Sequence, residues 1–137
     1  MAGKTLLLFL VISLVSCAAV GDMKEARRWH DLGIEHSKAG RDGEAVESFE
    51  KAVELTPNNV GYLKDLAEAY ATTSRYQDSI DALTRALELR PGDTELRYSL
   101  GMVYLKKGDR ALAMEEYKVL RRTDPELAAK LWERILK

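Results

Sequence analysis

The chain has one cysteine, Cys17, which excludes an intramolecular disulfide and a cysteine-rich metal site. It lies at the end of the first hydrophobic segment. Residues 1–4 form a short, positively charged segment, residues 5–15 are apolar except for Thr5 and Ser13, and residues 16–19 have small side chains. This is the order of regions in a secretory signal peptide. The apolar run is also shorter than the roughly 20 residues of a membrane-spanning helix. The pattern therefore predicts a signal peptide with its cleavage site at the cysteine.

The residues Leu14, Val15 and Ser16 directly precede Cys17 and resemble the lipobox of bacterial lipoproteins. The resemblance implies that signal peptide 1–16 is removed, that the thiol takes a diacylglyceryl group and that the new amino terminus is acylated. Ala18 stands where an aspartate would retain a lipoprotein at the inner membrane, which implies the outer membrane, facing the periplasm. Two alternatives remain open: an ordinary signal peptide with an incidental cysteine, and an uncleaved signal anchor.

Residues 17–25 are predicted to be the lipidated cysteine and a short tether. The tether has about 8 residues after the cysteine and spans at most ~26 Å when extended. A domain anchored in this way would lie close to the bilayer. Its partners would then be the lipid bilayer, through acylated Cys17, and envelope proteins or peptide segments close to the membrane.

The other residues that could act in catalysis or bind a metal do not form a catalytic or metal site. His30 and His36 are six residues apart and point to different sides of a helix, so they do not converge on a metal ion. Asp65 and Glu68 share one face, as paired carboxylates would, but no histidine, serine or cysteine nucleophile accompanies them. The 21 Lys and Arg residues balance the 22 Asp and Glu residues without a basic run, which argues against nucleic acid. We expect no enzyme activity, cofactor or metal.

The three prolines, Pro57, Pro91 and Pro125, are 34 residues apart, and each follows a helical stretch. Aligned at this period, the chain divides into units 26–59, 60–93 and 94–127. The first unit carries a large residue, a Leu-Gly pair and five further positions that recur in the others: Trp29, Leu32, Gly33, His36, Ala45, Phe49, Ala52 and Pro57. This pattern resembles the tetratricopeptide repeat (TPR) family. The resemblance implies an all-α solenoid of three helix-turn-helix repeats, followed by a C-terminal capping helix over residues 126–137.

Several positions of the repeat have physical roles. We expect Trp29, Leu32 and His36 to form one buried stripe of the first helix. Small residues are expected where paired helices approach closely, and left-handed glycines where hairpins turn, with Ser74 as a departure from glycine in the middle hairpin. These positions are Gly33, Ala67 and Gly101 for the close approaches, and Gly40 and Gly108 for the turns.

Two further departures from the pattern are notable. Arg97 stands where an apolar residue is usual, and Leu120 stands where alanine is usual. We expect Leu120 to contact the capping helix rather than a further repeat.

The resemblance implies that the first helix of each repeat lines a concave binding groove. The candidate groove residues lie off the buried stripe: Arg27, His30, Ile34, Lys64, Asp65, Glu68, Tyr98, Met102 and Leu105. Two interpretations remain open for the apolar members, a groove for a peptide or helix of a partner and packing between neighbouring first helices. Chaperone-binding relatives grip a C-terminal carboxylate with Lys, Asn and Arg donors. Here Ile34, Asp65 and Ser99 stand at those positions, so that function is not implied.

Together these features predict a membrane-anchored TPR lipoprotein that acts as a non-catalytic interaction scaffold or assembly factor. The complexes would be those of the bacterial envelope, in pilus, secretion or outer-membrane assembly. The alternative is an accessory subunit that positions a cell-wall (peptidoglycan) enzyme.

Overall fold

The computed structural model describes residues 21–137, and these residues fold into seven α-helices without strands. The described part of the first helix, α1, covers residues 21–38. The others are α2 (Asp42–Leu55), α3 (Val60–Thr72), α4 (Tyr76–Leu89), α5 (Thr94–Lys107), α6 (Arg110–Thr123) and α7 (Pro125–Ile135). The predicted all-α fold is confirmed. The predicted signal peptide, Cys17 and residues 18–20 lie outside the described residues.

The prolines and the residues around them set the boundaries between repeats. Asn59 and Asp93 each accept a hydrogen bond on the side chain from the backbone N–H three residues later, and so cap α3 and α5. Asp124 caps α7 in the same way, with Pro125 at the first helical position, where a missing N–H leaves no bond unmade. Each boundary thus ends one helix and starts the next.

The hairpin turns inside the repeats use left-handed backbone conformations. Gly40 has φ +70° and Gly108 has φ +96°, as predicted. Ser74, in the middle hairpin, has φ +62°. A side chain is disfavoured in this region, so the middle turn holds the same geometry at a local conformational cost.

Helices α1, α3 and α5 lie side by side as an inner layer, and α2, α4 and α6 pack behind them. The layers approach closely at small residues. A Cβ atom added to Gly33 would lie 2.6 Å from Cε1 of Phe49, and one added to Gly101 would lie 2.7 Å from Cδ2 of Leu131. Both distances are far below a normal carbon contact. The expected close approach to the paired helix is confirmed at Gly33, whereas the nearest neighbour of Gly101 lies on the terminal helix α7.

The terminal helix α7 packs on α5 and α6 and buries one apolar stripe. Leu120 and Leu131 are fully buried, together with Ala128 and Ile135, in a cluster of their own. The contact expected between Leu120 and the terminal helix is therefore present. The opposite side of α7 carries exposed charges, including the Glu126–Lys130 pair at 2.8 Å. A polar outer face is a property expected of a capping helix, and the capping role of α7 remains a prediction.

Residues 21–25, predicted to belong to the short tether, are helical and rise about 7.5 Å, against about 17 Å for an extended chain. One expectation about the first helix was wrong. Trp29, Leu32 and His36 are only half-buried instead of forming a buried stripe. The reason is that no earlier helix of the described chain packs on this side of α1.

The unusual Arg97 is accommodated by an ion pair rather than by apolar packing. Its Nη1 lies 2.9 Å from Oε2 of Glu116 on α6, and both side chains are largely buried. A paired guanidinium can occupy such a site because its charge and its N–H donors are compensated.

We predict that Leu131→Ala lowers the free energy of unfolding by about 2–5 kcal/mol, because it opens a cavity where the α7 side chain meets Gly101. Leu136→Ala, one turn away on a side chain that is 65% exposed, is the matched control and should change it by less than about 0.5 kcal/mol. Urea unfolding of the two variants measures the difference. Equal effects would mean that α7 is not part of the cooperative core.

Candidate functional site

Two recesses open on the inner layer, one on each side of α3. The first, recess A, has a volume of about 290 Å³ and lies between α1 and α3. Ile34, Phe49 and Ala69 form its apolar lining. Its polar rim consists of Ser37, Lys38, Asp65, Glu68 and Thr72. Recess A can hold a small apolar side chain beneath polar edges.

The second, recess B, has a volume of about 210 Å³ and lies between α3 and α5. Small residues on α3, Ala67 and Ala71, leave the space open down to Ser79 and Leu83 on α4. The Ser79 hydroxyl donates a 2.6 Å hydrogen bond to the Ala67 carbonyl, which holds this floor in place. The α5 side of the recess is formed by Tyr98, Ser99, Met102, Val103 and Lys106.

Glu68 lies on the ridge between the recesses and lines both of them. Its side chain forms no ion pair or hydrogen bond with the residues that the structure describes, and the residue is exposed. Lys38 in recess A and Lys106 in recess B are equally without an ionic partner in residues 21–137. The face therefore presents three charges that are available to another molecule.

His30 and Asp65 join the first two repeats beside recess A. Nε2 of His30 lies 2.6 Å from Oδ2 of Asp65, and because a carboxylate only accepts, the ring nitrogen donates. The ring stacks on Tyr62, with centroids 4.3 Å apart, and is tilted against Phe49 at 5.4 Å. Only 14% of the His30 side chain is exposed. These two predicted groove residues thus fix the position of α1 against α3.

Lys64 connects the second and third repeats in a similar way. Its ammonium donates to Oε2 of Glu95 at 2.9 Å. This hydrogen bond raises the pKa of Lys64, partly opposed by burial. Since its charge is already paired, Lys64 contributes a rim to recess B rather than a free cation.

The structure brings together six of the nine predicted groove residues around the two recesses: Ile34, Lys64, Asp65, Glu68, Tyr98 and Met102. The others do not line them. Arg27 is 79% exposed and approaches Asp31 at 3.9 Å, while Leu105 packs against the cluster of Leu120 and Leu131. His30 lines neither recess but donates a hydrogen bond to Asp65, which lines recess A. Whether any of these residues binds a partner remains a prediction.

The apolar groove residues pack in the interior and also line the recesses, so their use by a partner remains a prediction. Ile34 packs against the main core, and Tyr98 and Met102 pack against the α7 cluster, yet all three also line a recess. The floor of recess B was not predicted from the sequence. The feature that indicates it is the pair of alanines four residues apart, Ala67 and Ala71, which keep the α3–α5 gap open.

A third recess, of about 450 Å³, lies at the amino-terminal edge of the array. It is lined by Trp29 and Leu32 among the charged residues Glu25, Arg28, Asp31 and Glu35. Nζ of Lys51 lies 4.0 Å from the centroid of the Trp29 ring, a cation–π contact that covers one face of the indole.

Within residues 21–137, no three His, Cys, Asp or Glu side chains converge as a metal site would require. In the same part of the chain, no helix has the length and apolar character needed to cross a membrane.

We predict that a double-mutant cycle on His30→Ala and Asp65→Ala gives a coupling of about 1 kcal/mol, because this hydrogen bond to a carboxylate is partly buried. The matched cycle on Lys64→Ala and Glu95→Ala should give less than about 0.5 kcal/mol, since Glu95 is 71% exposed. Denaturant unfolding of the seven proteins, with the unmutated protein common to both cycles, measures both couplings. A smaller coupling for the histidine pair than for the lysine pair would contradict this assignment.

Comparison with known proteins agrees with the repeat geometry. A family model described as "Tetratricopeptide repeat" matches residues 30–94 and 64–128. Mouse PEX5-related protein is 31% identical over 80 residues, 58% of this chain and 14% of that protein. Anaphase-promoting complex subunit 3 of Schizosaccharomyces pombe is 25% identical over 107 residues, 78% of this chain and 16% of that protein. The chain thus spans about one-seventh of the length of these relatives.

Solved structures share the fold. The Arabidopsis OM64 TPR domain superposes with a TM-score of 0.74 at 16% identity, covering 83% of this chain and 96% of that one. The first TPR domain of Spaghetti (RPAP3), bound to the HSP90 peptide SRMEEVD, gives a TM-score of 0.73 at 18% identity, covering 82% and 91%. With the 34-residue period, the glycine-mediated close approaches and the matched residues 30–128, the chain belongs to the tetratricopeptide repeat family.

Proposed function

We propose that this protein is a non-catalytic docking module that holds a segment of a partner protein across α1, α3 and α5. The observation that carries the proposal is the pair of recesses with apolar floors on either side of the unpaired Glu68. Such recesses accept side chains, while the polar rims select and orient the segment. TPR domains are in general interaction modules rather than enzymes, which favours this role.

The segment proposed here differs from an acidic C-terminal tail. The RPAP3 domain was solved with the HSP90 peptide SRMEEVD, so this fold can hold a short peptide. In the present chain, the carboxylates of Asp65 and Glu68 line the recesses, and Ile34 and Ser99 occupy positions at which a carboxylate clamp needs cationic or amide donors. A terminal carboxylate would meet like charge on α3.

We further propose that the module is tethered to the bacterial outer membrane through acylated Cys17, with its partners among envelope assembly complexes. The lipobox-like residues Leu14, Val15 and Ser16 support the anchor. The helical conformation of residues 21–25 would then keep the array close to the lipid surface. The partners would be proteins that operate within this distance of the bilayer.

A photo-crosslinking amino acid at Thr72, on the rim of recess A, should link to one segment of a partner protein in the producing cell. The same group at Thr84, exposed on the outer helix α4, is the matched control and should give no such product. Peptide mass spectrometry of the crosslinked band identifies the segment. Products from Thr84 alone would move the binding face to the outer layer.

Replacing the thiol tests the anchor separately. Cys17→Ala should abolish incorporation of an alkyne-tagged fatty acid and move the protein from the membrane to the soluble fraction, because the acylation site is lost. Ser16→Ala, which keeps a small residue before the cysteine, should leave both unchanged. Lipid labelling that persists in the Cys17→Ala protein, or that is absent from the protein with Cys17, would contradict the lipoprotein assignment.

A further inference from the structure

The charges on the inner layer follow an order, and we infer from it that the partner segment is a short extended peptide with a basic centre and acidic ends. This inference rests on the proposed use of α1, α3 and α5 as the binding face. It adds the chemical class of the occupant. The expected sequence has six positions in the order acidic, apolar, two central residues, apolar and acidic. One of the two central residues is Lys or Arg.

The order of charge comes from three side chains on three consecutive inner helices. Lys38 lies on α1, Glu68 on α3 and Lys106 on α5, so the sign alternates across the face. Each of the three lines a recess, and none has an ionic partner among the described residues. The neighbouring charges Asp65 and Lys64 are already engaged with His30 and Glu95. The free charges therefore decide which segment is complementary.

The apolar positions follow from the recesses on either side of Glu68. Ile34 and Phe49 line recess A, and Leu83 and Met102 line recess B. Their volumes of about 290 and 210 Å³ suit one aliphatic side chain each. A segment that fills both recesses must pass over the Glu68 ridge, so its basic residue falls between its two apolar residues.

The spacing of the apolar residues follows from the spacing of the helices. Packed helices lie about 8–10 Å apart, so the two recesses are separated by about that distance. A polyproline II chain rises about 3.1 Å per residue with three residues per turn, so residues i and i+3 point the same way about 9.3 Å apart. An extended segment with apolar residues at i and i+3 therefore matches both recesses.

The test uses two fluorescein-labelled peptides of the same composition and net charge that differ only in charge order: Glu-Leu-Pro-Lys-Leu-Glu and Lys-Leu-Pro-Glu-Leu-Glu. Fluorescence polarisation with the full chain in detergent measures the ratio of their dissociation constants. We expect the first peptide to bind about tenfold more tightly, a difference that Glu68→Lys should abolish or invert. Glu88→Lys, the same change at an exposed site on α4, is the control and should preserve the ratio.

A second pair of variants separates failure of the charge order from failure of the binding face. Thr72→Trp and Ser99→Trp fill recesses A and B, and Thr84→Trp is their outer-layer control. If both peptides bind equally and the two recess variants abolish that binding, the charge order is overturned but the binding face is retained. Binding that neither recess variant weakens, with helical content unchanged by circular dichroism, would overturn the face itself. No binding of either peptide would also overturn the charge order.

Discussion

The close approach of helices at small residues is the constraint on which the rest of this structure depends. Gly33 leaves room for the ring of Phe49, and Gly101 leaves room for Leu131, in each case where a Cβ atom would lie under 3 Å from its neighbour. Because helices meet at these points, their apolar stripes can close into a core. The first contact joins the two helices of one repeat, and the second packs α7 on α5.

The same constraint produces the recesses of the inner layer. The outer helices α2, α4 and α6 fix the positions of the inner helices. The side chains that line the gaps between inner helices then determine how far each gap is filled. Ala67 and Ala71 are too small to close the α3–α5 gap, so recess B stays open. Paired groups, His30 with Asp65 and Lys64 with Glu95, join adjacent repeats across these gaps. Charges outside those pairs remain available for recognition.

Much of the fold was predictable because each structural position occurs in three repeats, so its role can be inferred from three residues. The prolines, the turn glycines and the close-approach glycines all act through the backbone, whose requirements are local. The pairing of His30 with Asp65 was not predictable, since it depends on the rotation of α1 relative to α3. That Leu105 lines neither recess was not predictable for a related reason. Periodicity places it off the buried stripe, but only the packed α7 cluster shows which neighbour it meets.

The central claim is that the inner layer, rather than the outer one, holds the partner. Methyl NMR of the protein with the partner segment identified by crosslinking tests this most directly. The account predicts shifts for the methyl groups of Ile34 and Met102, which line the two recesses, and none for Leu89 and Leu112, which are exposed on α4 and α6. Shifts at Leu89 and Leu112 with Ile34 and Met102 unchanged would contradict it.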